Sequence, residues 1–371
     1  MRRALLTLLS VSVSLALSGC FAKFSSEGPQ VAEQWRSQGV FLSDARLATL
    51  KRRVAEQVEP TASAYKAVLA DAEKALTREP QAPLKWFVPN VRRDTEGHVR
   101  AKGALEGDGC HAYAAALCYR LSGDERYAAA AAKLLNAWAV RLQVLETEED
   151  SKLSFSYHFP ALLFAAGLLK KSPSWPPEAQ SVFRRFVREK ALPLNTMASR
   201  NNWGNWGLVL VLASAAFLDD RELFAEGVAR WKELLGAQVA EDGHLPLETK
   251  RDRRGLWYTH FCLMPQTLAA EIARVNGLDL FNLELSNGRS LRLACQSVPG
   301  WVAKPETYPF WTGDPKALEG TDYISYFEIL DAHWPSPQTR ELLQARRPLS
   351  GTHSAPFLTF THGGLLNDAG P

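Results

Sequence analysis

The feature that most constrains this chain is a hydrophobic period of three to four residues that recurs along most of its length. "CHAYAAALCYRL" and "ERYAAAAAKLLNAWAVRL" are two such runs, joined by Ser122-Gly123-Asp124. Their spacing predicts a pair of helices over 109–121 and 125–143. Residues 43–77 carry the same helical period, and the same reading predicts helices over 158–170, 177–190, 205–218, 220–236 and 258–276, each of these five bounded by Gly, Pro, Asn or Asp. Alternating strand patterns are scarce. Helix pairs joined by short turns predict an all-α fold, either an α/α toroid (an incomplete barrel of helix hairpins) or a solenoid. No strict sequence repeat is present. Beyond residue 296 the chain turns richer in proline and aromatics, as in "KPETYPFWTG". This segment reads as the closing part of the same domain, over 41–371.

The 371 residues are 46% hydrophobic and 22% charged, enough to bury a sizeable core. The formal net charge of +3, without a long basic run, gives no argument for nucleic acid as a partner. It is compatible with an anionic substrate. Residues 1–20 read as a targeting segment: Arg2 and Arg3, then an apolar run from Ala4 to Leu17, too short to cross a bilayer comfortably, then small residues ending at Cys20. Leu17-Ser18-Gly19-Cys20 resembles the lipobox of bacterial lipoproteins, in which the cysteine is lipidated. A plain secretory signal is the simpler alternative. The expectation is an exported lipoprotein, facing the periplasm or cell surface, with 21–40 as a polar tether. Of the other cysteines, Cys110 and Cys118 lie eight apart on one predicted helix, too far along its axis to bridge. With Cys262 and Cys295 they are expected to be mostly buried free thiols.

Two stretches carry candidate chemistry. In "SRNNWGNWG", Asn201 and Asn202 precede Trp203 and Trp206 at a predicted helix start. One asparagine serves as N-cap, and the two tryptophans can pack on one face. Capping needs a single amide, so the other is spare, at a place that favours anions. In "LPLETKRDRRGLWYTHF", Arg251 stands seven residues before Tyr258 and Arg254 four before it. On one continuous helix all three share a face. A guanidinium beside a phenol favours the phenolate, and such a tyrosine can accept and return a proton. The bland reading is a solvated basic helix start.

Together, "NNWGNW", the Arg251/Tyr258 block and "LAAEIARVNGLDLF" resemble the alginate lyase family of polysaccharide lyases. The likeness extends over roughly residues 80–365, including "GDERYAAAAAKLLNAWA" and "PFLTFTHGG". It implies an α/α toroid with a deep groove, and β-elimination on a uronic acid polymer, without a cofactor or metal. It also implies roles: Asn202 as a neutraliser of the uronate carboxylate, Arg251 as partner of Tyr258 and of charge, and Tyr258 as base and acid. Asn201 and Arg254 join them as substrate-binding candidates. One Tyr suffices when the C5 proton and the leaving O4 lie on the same face of the sugar.

The chain departs from the family pattern at Trp203, where the pattern has histidine. Indole is donor-only and cannot accept a proton. Another histidine can enter the groove instead. His158, in "SFSYHFPALL", is the preferred candidate, placed at a helix start before Pro160. His111, at another expected start, and His260 follow. Alternatively the enzyme handles only substrates cleaved by Tyr258, such as mannuronate blocks, or has moved to another uronate polymer such as glucuronan, or has lost activity and binds polysaccharide as a lipoprotein; in each case a monomer is expected. Trp203, Trp206, Trp257, Tyr308 and Trp311 are candidate sugar-stacking platforms, although most tryptophans of a chain with 11 belong to core or rim. A glycoside hydrolase on the same fold would need paired acids. Asp108, Glu248 and Asp322 are the residues that could be read so, and nothing in the sequence pairs them. Lyase, hydrolase and binder differ in product: unsaturated ends that absorb ultraviolet light, reducing ends without that absorbance, or neither.

Overall fold

The computed structural model describes residues 33, 35–313, 321–350 and 353–364. The expected targeting segment with Cys20 and most of the expected tether over 21–40 lie outside them, whereas Trp35 and Val40, at the end of that stretch, are buried in the core. Sixteen α-helices account for most of the described fold: α1 Asp44–Ala55, α2 Thr61–Thr77, α3 Thr95–Ser122, α4 Glu125–Arg141, α5 Ser151–His158, α6 Pro160–Leu169, α7 Pro177–Phe186, α8 Asn202–Leu218, α9 Arg221–Gln238, α10 Pro246–Thr249, α11 Gly255–Val275, α12 Leu291–Cys295, α13 Val298–Ala303, α14 Phe327–His333, α15 Pro337–Gln344 and α16 Leu358–His362. Two two-residue strands, β1 Lys85–Trp86 and β2 Val144–Leu145, pair in parallel.

The helices form two layers. In the inner layer α3 packs on α6, α6 on α8, and α8 on α11. In the outer layer α2 and α4 flank α3, α7 lies on α4, and α9 covers α8. The difference is written in burial. Of α8, only Trp203 escapes burial, as expected of a helix enclosed on all sides. Its partner α9 buries one stripe, Phe224, Val228, Trp231 and Leu235, at three-to-four spacing. The closing segment returns to the start of the ring, α16 packing on α2 and α14 on α11. The fold is the expected all-α arrangement of helix hairpins.

Two boundaries differ from expectation. The helical stretch over 43–77 is two helices, broken at 56–60 where Pro60 precedes α2. Helix α3 begins fourteen residues before its predicted start, at Thr95, capped by the Asp94 side chain on the Gly97 amide. The four cysteines among the described residues are free thiols, Cys110 half-buried and Cys118, Cys262 and Cys295 buried, as expected.

Candidate active site

The amino ends of α6, α8 and α11 lie at one end of the ring, and the sequence candidates gather there. Asn201 is the N-cap of α8. Its side-chain oxygen accepts the Trp203 amide at 3.2 Å. Asn202 is the spare amide, and it is buried. Its Nδ2 donates to both carboxylate oxygens of Glu248, at 3.0 and 2.9 Å, and its backbone N–H donates to Oε1 at 3.0 Å. The anion-favouring helix start is therefore filled by a carboxylate of the protein itself. Burial raises the pKa of Glu248, while the Asn202 bonds and the Arg251 charge oppose the rise.

Arg251 and Tyr258 do not share a helix. The chain breaks between α10 and α11, where Asp252 takes a left-handed φ of 54°. A short turn over Asp252–Arg254 leads into α11 at Gly255, where a side chain would press on the Thr249 carbonyl and the Tyr308 hydroxyl. The break folds Arg251 back over the ring of Tyr258, with Cζ 4.7 Å from the ring centroid. Arg254 lies 5.1 Å from the same ring and 4.3 Å from that of Trp257. Two guanidinium groups thus stack on one half-buried phenol. Arg251 Nε is 4.0 Å from Glu248 Oε2. A continuous chain of contacts runs Asn202, Glu248, Arg251, Tyr258.

The histidines fall elsewhere than expected. His158 is the last residue of α5, not the first of a helix, and is buried. Its Nε2 has no hydrogen-bond partner and lies 3.8 Å from Glu106 Oε2. His111 sits in the middle of α3, because that helix starts so early, and its Nδ1 contacts the Gly107 carbonyl at 2.6 Å. His260 is buried on α11, with Nδ1 3.0 Å from the Tyr326 hydroxyl. Sequence reading missed His353. Its ring lies parallel to that of His158, centroids 5.8 Å apart, and packs against Tyr157, Trp206, Phe261 and Tyr323. Desolvation among these groups holds His158 well below the ordinary imidazole range and pushes His353 down to about 3, with the Lys102 charge adding to both. Both rings are therefore neutral near pH 7.

Of the candidate platforms, Trp206 is fully buried, its ring between Tyr157 and Phe261. It offers no open face because its helix is enclosed. Tyr308 is also buried, against Trp301 and Phe310. Trp203, Trp257 and Trp311 keep part of their surface. Asp108, one of the acids considered for hydrolysis, is buried and accepts from Arg78 Nε, the Gln81 amide and Trp138 Nε1 at 2.7, 2.7 and 2.9 Å. It ties α3 to its neighbours. The Asp322 side chain lies outside the described residues.

Comparison with known proteins bears on the family and the fold. A profile of the alginate lyase family matches residues 54–308. An alginate lyase of Pseudomonas aeruginosa is 31% identical over 260 residues, 66% of this chain and 68% of that protein. One of Pseudomonas fluorescens is 32% identical over 177 residues, 47% of this chain and less than half, 44%, of that protein. Among solved structures, alginate lyase A1-III of Sphingomonas species A1 superimposes with a TM-score of 0.75 at 18% identity, covering 91% of this chain and 99% of that one. A tyrosine-to-phenylalanine variant of A1-III complexed with tetrasaccharide gives 0.73 at 19% identity, covering 91% and 98%. The structural likeness places the fold as an α/α toroid, and the sequence match places the lineage: the chain belongs to the alginate lyase family.

Proposed function

We propose that the protein is a polysaccharide lyase that cleaves alginate by β-elimination, with mannuronate-rich chains preferred. The observation that carries this reading is the contact chain from Asn202 through Glu248 and Arg251 to Tyr258. The C5 proton of a uronate becomes acidic only when the adjacent carboxylate is neutralised. Arg251 and Arg254, exposed at the rim, supply charge-assisted donors for that carboxylate and stabilise the enolate-like charge, while Asn202, its donors taken by Glu248, holds Glu248 beside Arg251. The Tyr258 hydroxyl oxygen, beside two guanidinium groups stacked on its ring, takes the C5 proton. The same oxygen then returns a proton to the leaving O4, so the bond between C4 and O4 breaks as the C4–C5 double bond forms.

The preference for mannuronate follows from Trp203, which cannot accept a proton. With one acceptor at Tyr258, elimination is confined to substrates whose C5 proton and O4 share a face. His158, with His353 stacked beside it, is the candidate for a second stereochemistry. A lyase for glucuronan has the same chemical requirements and is the second reading. We further propose that the chain is exported as a monomeric lipoprotein acylated at Cys20. Fatty-acid labelling of the full chain, lost in Cys20→Ser, is the check on that point.

The deciding experiment incubates the protein from residue 21 onward with polymannuronate, polyguluronate and glucuronan separately, beside Tyr258→Phe, following ultraviolet absorbance. A rise on polymannuronate that Tyr258→Phe abolishes is the expected result. A rise only on glucuronan moves the substrate. No rise on any polymer, from a folded protein, removes the lyase reading in favour of a polysaccharide binder.

A further inference from the structure

We propose that Arg230 and Gln238 on the outer helix α9 are positioning residues that fix the loop bearing Asn201 and Asn202. This deepens the lyase reading and rests on it for its catalytic consequence. Residues 197–200 precede α8 and present four successive backbone carbonyls to one neighbour. Arg230 takes three of them: Nε donates to the Met197 carbonyl at 3.0 Å, and Nη2 to those of Ala198 and Ser199 at 3.1 and 3.0 Å. Its Nη1 is held by Glu233 at 2.6 Å. Gln238 takes the fourth, donating from Nε2 to the Arg200 carbonyl at 2.9 Å.

The Gln238 amide has one workable orientation. Its buried oxygen accepts from Asn205 Nδ2 at 2.9 Å and from Gln266 Nε2 at 2.7 Å. Its nitrogen must then face Arg200. Asn205 and Gln266 belong to α8 and α11, so this one amide joins the loop to both helices that carry the candidate site.

The loop is pressed from its other side by α8. A Cβ at Gly204 would collide with the Ser199 carbonyl oxygen, and one at Gly207 with Met197 N and the Thr196 carbonyl carbon. Thr196 Oγ1 donates to the Trp203 carbonyl at 2.6 Å. The glycines of "NNWGNWG" are the room this loop needs, and Arg230 is what keeps it there. A loop so gripped delivers Asn202 to Glu248 in one geometry. A guanidinium with five donors in a fixed fork can hold three carbonyls at once, which an ammonium cannot do in the same plane. Misplacing a reacting group by about 1 Å can cost on the order of 100-fold in rate.

The test uses the chain from residue 21 onward and three variants: Arg230→Lys, Gln238→Glu, and Val228→Ala as a packing loss on the same helix. Gln238→Glu keeps the acceptor for Asn205 and Gln266 and loses the donor to Arg200 unless its carboxyl is protonated. The expected result is a fall in kcat of at least tenfold for Arg230→Lys and Gln238→Glu with a smaller change in KM. The rate of Gln238→Glu relative to wild type should recover as pH is lowered. Val228→Ala should keep its kcat whatever its loss in Tm. Full kcat in the two clamp variants, or an equal loss in Val228→Ala, overturns the proposal. Amide hydrogen exchange over residues 197–204 is read on the same proteins, and faster exchange in the clamp variants alone is expected. Unchanged exchange overturns the clamp even if the wild type cuts no polymer, whereas a wild type inactive on every uronate, with the exchange difference present, removes only the lyase reading.

Discussion

Asn202, at the start of α8, and Glu248, in α10, make three hydrogen bonds to one another in a buried place. Removing the carboxylate leaves the Asn202 amide and backbone N–H without their acceptor. Glu248→Ala should therefore cost roughly 1–3 kcal/mol of stability, read as a fall in Tm, and should lower kcat as Asn202 loses its hold. Glu248→Gln retains one acceptor oxygen and should fall between. Full activity in both variants would show that the pair serves the fold alone.

Arg251 and Arg254 both cover the Tyr258 ring, so neither is expected to act alone. Arg251→Ala should reduce kcat/KM on polymannuronate by about 100-fold or more, the range for loss of a charge-stabilising group. Arg254→Ala should raise KM more than it lowers kcat. Steady-state rates on defined oligomannuronates separate the two. The same split between kcat and KM in both variants would contradict this division of labour.

Trp203→His restores a proton acceptor at the one position of α8 that is not buried. The expected outcome is new cleavage of polyguluronate with polymannuronate cleavage retained, seen as unsaturated ends from both polymers. Should His158 already act as second acceptor, wild type will cut polyguluronate and His158→Ala will remove that activity selectively.

Several imidazoles are buried and held neutral. Desolvation pushes His260 and His353 down to about 3 and His362 to about 4, the last in spite of its bond to Glu271. In the unfolded chain the same groups titrate near the ordinary 6.5. Between these values the unfolded state binds more protons, so stability falls as pH drops below about 6.5. The slope approaches about 1.4 kcal/mol per pH unit for each group involved. Tm measured from pH 7.5 to 5 should decline, and His260→Gln should flatten the decline. A Tm that rises toward pH 5 would contradict this.

A methyl group at Gly207 would strike the backbone of 196–197, so the loop must move or the helix must bend. Gly207→Ala should destabilise by roughly 1–3 kcal/mol. Gly123→Ala, at a helix end with open space around it, loses only the ease of its left-handed conformation and should cost less. Denaturant midpoints for the two variants decide the order.

The hairpins were legible because outer helices such as α9 bury a single stripe, and because inner helices such as α8 are apolar runs bounded by Asn and Asp. The first half of α3 was not. "TEGHVRAKGALEGD" carries three glycines and alternating charges, and its helical state depends on packing that local propensity does not announce. Tyr258 and Arg251 were found as a pair through a helical spacing that the chain does not follow; the break at Asp252 brings them together by another route. Glu248 was visible as an acid, but its partner could be seen only once α8 and α10 were placed in space. His353 lies in an irregular segment with no spacing that relates it to His158, and only the closing of the ring stacks the two.

Helix α8 exposes Trp203 and nothing else. Every other side chain along it is answerable to the core, so variation there will be filtered first by folding. Position 203 is released from that filter while standing beside Asn202. It is a place where a descendant of this chain can try new side chains against new sugars with the scaffold left intact, and a saturation library at 203 should hold far more folded members than one at any neighbouring position of the helix.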